Sequence, residues 1–264
     1  MTAPFYVAPE QVMKDRADYA RKGIARGRSL VAVSCNEGIL LIAENPSRLL
    51  RKISEVYDRI AFAGVGKYNE FDQLRIAGVR HADLKGFSFS REDVEARSLA
   101  NLYAQILGNV FTHEMKPLEV EILVAEVGES PAEDCLFHIQ YDGTLIDEAF
   151  YSVLGGDAES VRTVLEQQLA ASNGGGIDLA AAVRSAIVAL TGADRTLSSN
   201  DLEVCVLLRA GDRRRFARLE DAELVELLQA VMATADAAVV AAPTETAVDP
   251  ATESESDETG APPA

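Results

Sequence analysis

The hydrophobic positions along this chain follow two different periods, which divide it into blocks of strands and pairs of helices. Residues 29–35 and 38–43 are apolar at almost every position, and Asn36-Glu37-Gly38 between them suits a hairpin turn. Strands of this composition are typically covered on both faces. The other predicted strands are residues 59–64, 119–126, 135–141, 144–147 and 203–209.

Apolar residues at helical spacing separate the strand blocks. Residues 9–26 predict a first helix with Pro9 in its first turn, and its thin apolar face indicates that it needs a partner surface. The further predicted helices are residues 68–82, the stripe from Leu99 to Val110, two helices joined by 173–176, and a last helix from Leu224 to Val231. Strands that are apolar on both faces, combined with paired amphipathic helices, predict helix–sheet–sheet–helix layers.

Composition and charge narrow the class of protein. With 264 residues, 48% of them hydrophobic, the chain can bury a core, yet no apolar run approaches the roughly 18 residues that span a membrane. A net charge of -17 argues against a nucleic-acid partner, because phosphate contacts require a basic face. The N-terminus does not have the basic region followed by an apolar region that a secretory signal has, so we expect a cytoplasmic protein without a membrane partner.

The acidic charge is concentrated at the C-terminal end. Residues 233–264 hold seven acidic groups and no basic ones, which leaves 35 acidic and 25 basic groups in residues 1–232. This tail is rich in Ala, Pro, Glu, Thr and Ser and cannot bury enough apolar surface to fold. We therefore predict a single domain at residues 1–232 and a disordered acidic tail at 233–264.

Cysteine and histidine usage predicts neither a metal ion nor a cofactor. The cysteines lie far apart in apolar runs without a CxxC pair, as buried free thiols do in a reducing compartment: Cys35, Cys135 and Cys205. None of the three histidines has metal-ligand spacing. His138, in the strand-like run CLFHI, is interpreted as a half-buried ring with satisfied nitrogens.

A glycine turn at residues 64–69 is the first candidate for chemistry. Phosphate-binding loops carry GxxxxGK[ST] or GxGxxG. Here one residue separates the glycines, Tyr68 follows the lysine, and Asn69 stands at the position of the third glycine. A strand-to-helix turn that uses the conformational freedom of glycine therefore fits better than a nucleotide site.

The residue types also provide no evident nucleophile, since no GxSxG occurs. A self-processed hydrolase needs Thr, Ser or Cys as the new N-terminus of its first strand, yet Arg28 stands there and Ser29 lies one position late. The acidic pair Glu119 and Glu121 falls on a predicted strand and is interpreted as solvated. By residue chemistry alone, the sequence contains no active site.

Several contiguous strings nevertheless match one family in order and spacing. They are Asp18-Tyr19-Ala20-Arg21 with Gly27, NEGILLIAEN at 36–45, RKISEVYDRIAFAGVG at 51–66 and NEFDQLR at 69–75. On these strings the chain resembles the alpha subunits of the proteasome core particle, most closely the actinobacterial type, over residues 1–232. The resemblance implies an α+β fold, the four-layer αββα sandwich of the N-terminal-nucleophile hydrolases.

The resemblance also implies a role in protein degradation. In this family seven alpha subunits form a ring, and two such rings cap two rings of catalytic beta subunits that carry an N-terminal threonine. Arg28 stands where that threonine would be, which implies a non-catalytic subunit. The substrates of such particles are unfolded proteins, which actinobacteria mark with a prokaryotic ubiquitin-like protein.

Three positions match the pocket that receives the C-terminal carboxylate of a ring-shaped AAA-type ATPase activator. Lys52 matches the lysine of that pocket, and Gly27 and Gly66 match the glycines that line it between neighbouring subunits. Lysine offers a compact charge to a carboxylate. An exposed ion pair contributes only about 0.2–1 kcal/mol, so several pockets around one ring would have to act together.

The extreme N-terminus matches the segment that closes the axial pore of the ring. The gate residues that carry over are Thr2, Ala3, Pro4, Phe5, Tyr6, Val7 and Ala8. Phe5-Tyr6-Val7 departs from the archaeal Tyr-Asp-Arg, while Pro9 and Tyr19 match the turn and the tyrosine that support the gate, at a spacing one residue longer. The gating function therefore carries over, whereas the contacts that hold the gate do not.

Two alternatives remain open at the level of sequence. One is a self-sufficient N-terminal-nucleophile hydrolase that is processed to expose Ser29. The other is a purely structural ring protein that binds no activator.

Overall fold

A computed structural model describes residues 8–170, 176–192, 195–211 and 214–219. Its helices are α1 (Pro9–Ile24), α2 (Tyr68–Ser88), α3 (Ala96–His113), α4 (Ala158–Ala170) and α5 (Leu179–Thr191). The strands of the first half of the chain are β1 (Leu30–Cys35), β2 (Gly38–Glu44), β3 (Ile53–Tyr57), β4 (Ile60–Gly66) and β5 (Val120–Glu126). Those of the second half are β6 (Cys135–Ile139), β7 (Leu145–Glu148), β8 (Tyr151–Leu154), β9 (Leu202–Leu208) and β10 (Phe216–Arg218).

The described strands form two antiparallel sheets of five strands each. The first sheet has the order β10-β9-β2-β1-β8, and the second has the order β3-β4-β5-β6-β7. In the second sheet the strands lie side by side in chain order, although α2 and α3 stand between β4 and β5 in the sequence. In the first sheet β9 pairs with β2, and β8 pairs with β1, which adds later parts of the chain to the β1–β2 hairpin.

Alternate residues of the central strands face different apolar layers. In β1, Leu30 and Ala32 pack between the two sheets, whereas Val31 and Val33 pack against the helices α4 and α5. On the opposite side of the molecule, α2 and α3 cover the second sheet around Phe62. From one side of the molecule to the other, the four layers are therefore a pair of helices, the first sheet, the second sheet and another pair of helices. The predicted four-layer αββα sandwich is therefore confirmed, and so is the burial of both strand faces.

The first helix lies outside these four layers. Its buried residues Ala20 and Ile24 pack against Tyr141 and the partly buried Phe111. Pro9 takes the first-turn position as predicted, because a residue there has no intrahelical partner for an N–H. The helix ends at Ile24, two residues earlier than the sequence predicted.

Some boundaries differ from the sequence-based prediction. Helix α2 continues to Ser88 instead of ending at residue 82, and its last turns carry the exposed Leu84 and Phe87, so the apolar period fades there. Strand β8 escaped prediction because the buried Ser152 interrupts a run of only four residues.

The start of α3 also differs. A short 3₁₀ turn precedes this helix, and the hydroxyl of Ser90 accepts a hydrogen bond from the Glu92 N–H at its start. Helix α3 begins later, at Ala96, whose N–H donates to the Glu126 carboxylate at 2.7 Å. A carboxylate of β5 thus accepts one of the first N–H groups of the helix, as the side chain of a capping residue would.

Other expectations concern parts of the chain outside the described residues. They include the predicted last helix, Leu224 to Val231, and the acidic tail at 233–264. In the described ranges, no helix combines the length and apolar character that crossing a membrane would require.

Candidate functional site

Three chain segments meet at one end of the sandwich. Gly27 and Arg28 join α1 to β1, Lys52 directly precedes β3, and Gly66 ends β4. Strand β1 belongs to the first sheet, whereas β3 and β4 belong to the second. The stacking of the two sheets therefore brings Lys52, Gly27 and Gly66 together, although up to 39 positions separate them in the sequence.

A hydrogen bond joins the lysine to the segment before β1. The Lys52 Nζ donates to the backbone oxygen of Arg28 at 2.7 Å. The preceding residue, Gly27, contacts β4, because a Cβ added to it would lie 2.6 Å from Val65 Cγ1 and 3.0 Å from Gly66 N. The amine and the two glycines thus form one continuous site.

Both glycines are required by the chain itself. Gly66 has a φ of +105°, which L side chains rarely adopt, and a Cβ there would approach the backbone oxygen of Glu119 to 2.0 Å. Gly27 has no room for a side chain beside Val65. The close backbone packing at this site is therefore a property of the fold, before any peptide binds.

A buried carboxylate, Glu44, lies at the end of β2 beside this site. It is 3% exposed and accepts a hydrogen bond from the Arg28 guanidinium at 2.5 Å. On its other side it pairs with Arg195 at 3.2 Å. Since Arg28 also offers its backbone oxygen to Lys52, the arginine links the lysine to the carboxylate through a single residue.

A second buried carboxylate, Glu203 in β9, fixes the loop that carries the lysine. It is 3% exposed and accepts from the backbone N–H groups of Lys52 at 2.9 Å and Ile53 at 3.3 Å. Asn45 donates to it at 2.7 Å, and Arg218 forms a salt bridge with it. The backbone of Lys52 is therefore anchored independently of its side chain.

The environment of Lys52 changes the proton affinity of its amine. Burial lowers the pKa of the Lys52 ammonium from 10.5 to about 8. The nearby carboxylates of Glu44 and Glu203 act in the opposite direction, and the Arg28 guanidinium lowers the pKa further. At neutral pH the ammonium form still predominates, so the group can bind an anion.

The predicted gate lies largely outside the described residues, which begin at Ala8. Ala8 is exposed, and its carbonyl oxygen accepts from the N–H groups of Gln11 at 2.9 Å and Val12 at 3.2 Å, as the residue before a helix does. Tyr19, 47% exposed, lies on α1 with the Lys116 Nζ 5.7 Å from its ring centroid. Pro9 and Tyr19 are thus 10 positions apart on one exposed helix.

Glu44 and Glu203 were missed by sequence reasoning. Each is an acidic residue at the end of an otherwise apolar strand run, which is the signal that could have drawn attention to them. A charged residue is rarely fully buried unless it is paired. The pairing could not be predicted, because Glu203 binds the backbone of Lys52 across 151 positions of sequence.

Two interpretations of single residues were wrong. Glu119 is only 13% exposed and pairs with Lys116 at 2.8 Å, and Glu121 is 17% exposed, so this acidic pair is not solvated. His138 is 6% exposed, and neither ring nitrogen has a hydrogen-bond partner among the described residues. The Glu121 carboxylate lies 3.7 Å from it, beyond hydrogen-bond distance.

Neither Ser29 nor the two buried cysteines Cys35 and Cys205 is an activated nucleophile. Ser29 is 5% exposed and sits beneath the chain that follows β8. Burial raises the pKa of the Cys35 thiol to about 11 and that of the Cys205 thiol to about 12, which keeps both protonated and unreactive. No group of three or more His, Cys, Asp or Glu residues in the described ranges could hold a metal ion.

Comparison with known proteins agrees with this architecture. The model of the family described as "Proteasome subunit" matches residues 24–207. The "Proteasome subunit alpha" of Acidimicrobium ferrooxidans is 61% identical over 228 residues, which cover 86% of this chain and 97% of the relative. That of Xylanimonas cellulosilytica is 54% identical over 233 residues, covering 85% and 95% respectively. That of Pseudarthrobacter chlorophenolicus is 53% identical over 239 residues, covering 86% and 100%.

The chain belongs to the proteasome subunit family. Within that family it groups with the actinobacterial alpha subunits, as these relatives show.

Proposed function

We propose that this chain is the non-catalytic alpha subunit of a proteasome core particle, and that seven copies form the outer ring that controls substrate access. The shared name of its relatives and their identity over more than four fifths of the chain support the alpha role. Arg28 supports the absence of catalysis. It precedes β1, where a self-processed hydrolase carries a small nucleophile, and its guanidinium is engaged by Glu44.

The meeting of Lys52, Gly27 and Gly66 at one end of the sandwich is the observation that carries activator docking. A carboxylate that reaches this end would meet an ammonium group already oriented by the Arg28 backbone oxygen. An AAA-type ring ATPase offers several C-terminal carboxylates at once. Several pockets around the alpha ring can therefore be engaged together, which multiplies a weak single contact.

Residues 2–8 are proposed as the gate, with Pro9 and Tyr19 as its supports. The proposed partners are further copies of this chain, catalytic proteasome beta subunits, and a AAA-type ring ATPase that docks through its C-terminal residues. The substrates are unfolded proteins in the cytoplasm, marked by a prokaryotic ubiquitin-like protein. Neither a nucleic acid nor a membrane is a proposed partner.

Co-expression with a candidate beta subunit, followed by native mass measurement and peptidase assays, tests this role. We expect a peptidase complex that requires both chains. In the Lys52→Ala variant we expect normal assembly but loss of ATPase-stimulated protein degradation. Lys67→Ala is the matched control, because Lys67 follows Gly66 but pairs with Glu70 at 3.3 Å, away from the Arg28 oxygen. Normal stimulation of the Lys52→Ala core would remove Lys52 from the mechanism.

Intact mass of the purified chain separates the proposal from a self-processing hydrolase. Loss of the 28 residues that precede Ser29 would indicate such an enzyme. The burial of Ser29, whose backbone oxygen accepts from the Glu44 N–H at 3.0 Å, favours the intact chain. If no activator C-terminal peptide binds to an assembled ring, a purely structural role would be favoured instead.

A further inference from the structure

Lys52 differs in its surroundings from Lys67 and Lys116. Its ammonium donates to a neutral carbonyl oxygen, and no carboxylate of the described residues lies within ion-pair distance of it. Two carboxylates act on it electrostatically, those of Glu44 and Glu203, but arginine guanidinium groups already hold both. The amine therefore lacks the direct carboxylate contact that would keep its proton in place.

Two other lysines show the opposite arrangement. Lys67 pairs with Glu70 at 3.3 Å, and Lys116 pairs with Glu70 at 2.7 Å and with Glu119 at 2.8 Å. Burial alone would lower the pKa of Lys116, but the hydrogen bonds that it donates to Glu119 and Glu70 raise that pKa above its ordinary value. A lysine held in this way keeps its lone pair protonated and is a poor nucleophile.

The surroundings of Lys52 also attract small anions. Among the described residues, Glu44 pairs with Arg28 and Arg195, and Glu203 pairs with Arg218. Together with Lys52, these three arginines give the cluster four cations against its two carboxylates. The side chains of Arg28 and Arg195 are 51% and 50% exposed, so the cluster is open to solvent. A cationic site of this kind raises the local concentration of small anionic molecules.

We propose that Lys52 is a modification site, whose amine accepts the acyl group of a small anionic acyl phosphate in preference to the other lysines. The amine nitrogen bonds to the acyl carbon, and the bond from that carbon to the bridging oxygen breaks. Phosphate leaves with the electron pair, and the proton lost by the amine passes to solvent. The product is an uncharged amide.

The lowered pKa of Lys52 supports this preference quantitatively. At pH 8 about half of a group with a pKa of about 8 is the free amine, against about 0.3% at a pKa of 10.5. Because nucleophilicity falls as pKa falls, part of this advantage is lost, and about a tenfold lead in rate remains.

The test is brief treatment of the full chain, in its complex if it assembles, with acetyl phosphate at pH 8. Peptide mass spectrometry measures acetylation at each of the six lysines. We expect Lys52 to be acetylated about tenfold faster than the exposed Lys14 and Lys22 of α1. Acetylation of Lys52 no faster than that of these two would overturn the proposal.

A second measurement shows whether the fold causes the preference. In the urea-unfolded chain all six lysines should react at similar rates, because the cluster around Lys52 no longer exists. A lead of Lys52 that survived unfolding would overturn the proposal, since the neighbouring Arg51 would then be a sufficient cause.

Acetylation would also remove the charge that the docking proposal requires, and this consequence rests on the proposed function. Different results would overturn the modification site and the docking role of Lys52. Full acetylation of Lys52 with unchanged ATPase stimulation would leave the modification site standing and remove Lys52 from docking. Slow acetylation of Lys52, together with loss of stimulation in Lys52→Ala, would overturn the modification site alone.

Discussion

The side-chain nitrogen of Lys52 and the backbone oxygen of Arg28, 2.7 Å apart, join the two sheets of the sandwich at one end. Lys52 leads into β3 of the second sheet, and Arg28 leads into β1 of the first. At the same end, the Lys52 N–H donates to Glu203 in β9 at 2.9 Å. The fold itself thus holds both the backbone and the side chain of the lysine, which would reduce the entropy cost of the proposed docking.

Binding of an activator C-terminal peptide should weaken as the pH rises through about 8. The proposed docking would use the ammonium form of Lys52, whose pKa burial lowers to about 8. That form is about nine tenths of the population at pH 7 and about one tenth at pH 9. Because a single pair of this kind contributes no more than about 1 kcal/mol, we expect the peptide affinity of the assembled ring, measured by fluorescence anisotropy, to be about two- to fourfold lower at pH 9 than at pH 7.

The Lys52→Arg variant is the control for this pH dependence. A guanidinium keeps its charge throughout the range, so whatever affinity the variant retains should not change between pH 7 and pH 9. An equally steep decline in the variant would assign the titration to a group other than Lys52.

Gly66→Ala should destabilise the chain far more than Gly192→Ala. Both glycines have positive φ, +105° and +64°, so alanine is strained at either position. A Cβ at Gly66 would also lie 2.0 Å from the Glu119 oxygen, whereas one at Gly192 would meet nothing within 4 Å. We expect a loss of about 1 kcal/mol at Gly192 and about 3 kcal/mol or more at Gly66 in urea unfolding.

Equal losses at the two positions would contradict the role of this backbone contact. The instability expected of Gly66→Ala also affects how docking assays with this variant are interpreted. Because Gly66 is required by the fold, a Gly66→Ala ring that fails to bind an activator does not show that the glycine touches a peptide. Lys52→Ala is the more selective variant for that purpose.

Loss of Arg209 should be among the more damaging single changes. Its side chain is 11% exposed, and its guanidinium donates to both oxygens of the fully buried Asp134 carboxylate at 2.7 and 2.9 Å and to the backbone oxygen of Cys35 at 2.9 Å. Arg209→Met would leave the Asp134 charge buried without its partner. We expect the free energy of unfolding to fall by about 3–5 kcal/mol, measured by urea denaturation.

Arg214→Met is the surface comparison for this change. Arg214 is 72% exposed and pairs with Glu55, which is 28% exposed, at 2.8 Å. Solvent screens such a pair, so its removal should cost no more than about 1 kcal/mol. Similar losses for the two arginine variants would mean that the Asp134 pair is not a stabilising element of the fold.

The layers of this molecule could be predicted from its sequence because both faces of β1 and β2 are apolar, which only a doubly covered sheet explains. Strand β8 could not, since a buried serine breaks its pattern and its pairing with β1 lies far away in sequence. The candidate site was likewise predicted only in part. Lys52 and its glycines were identified by contiguous strings, whereas Glu44 and Glu203 acquire their roles only through contacts between distant strands.

Removal of residues 2–8 should raise the rate at which the assembled core hydrolyses a fluorogenic peptide, because these residues are proposed to close the pore. A shorter deletion, of residues 2–7, should have the same effect. It keeps Ala8, whose carbonyl accepts from the Gln11 and Val12 N–H groups at the start of α1. The shorter variant thus separates opening of the pore from damage to the helix. An unchanged rate in both variants would mean that this segment is not the gate.

Combining the deletion with Lys52→Ala tests the order of the two steps. If docking at Lys52 acts by opening the gate, a core without residues 2–7 no longer needs an activator to admit a small peptide. The double variant should then hydrolyse the peptide as fast as the deletion alone, while Lys52→Ala by itself remains slow with or without the ATPase. A double variant as slow as Lys52→Ala would instead show that the lysine affects the catalytic chamber by a route other than the gate.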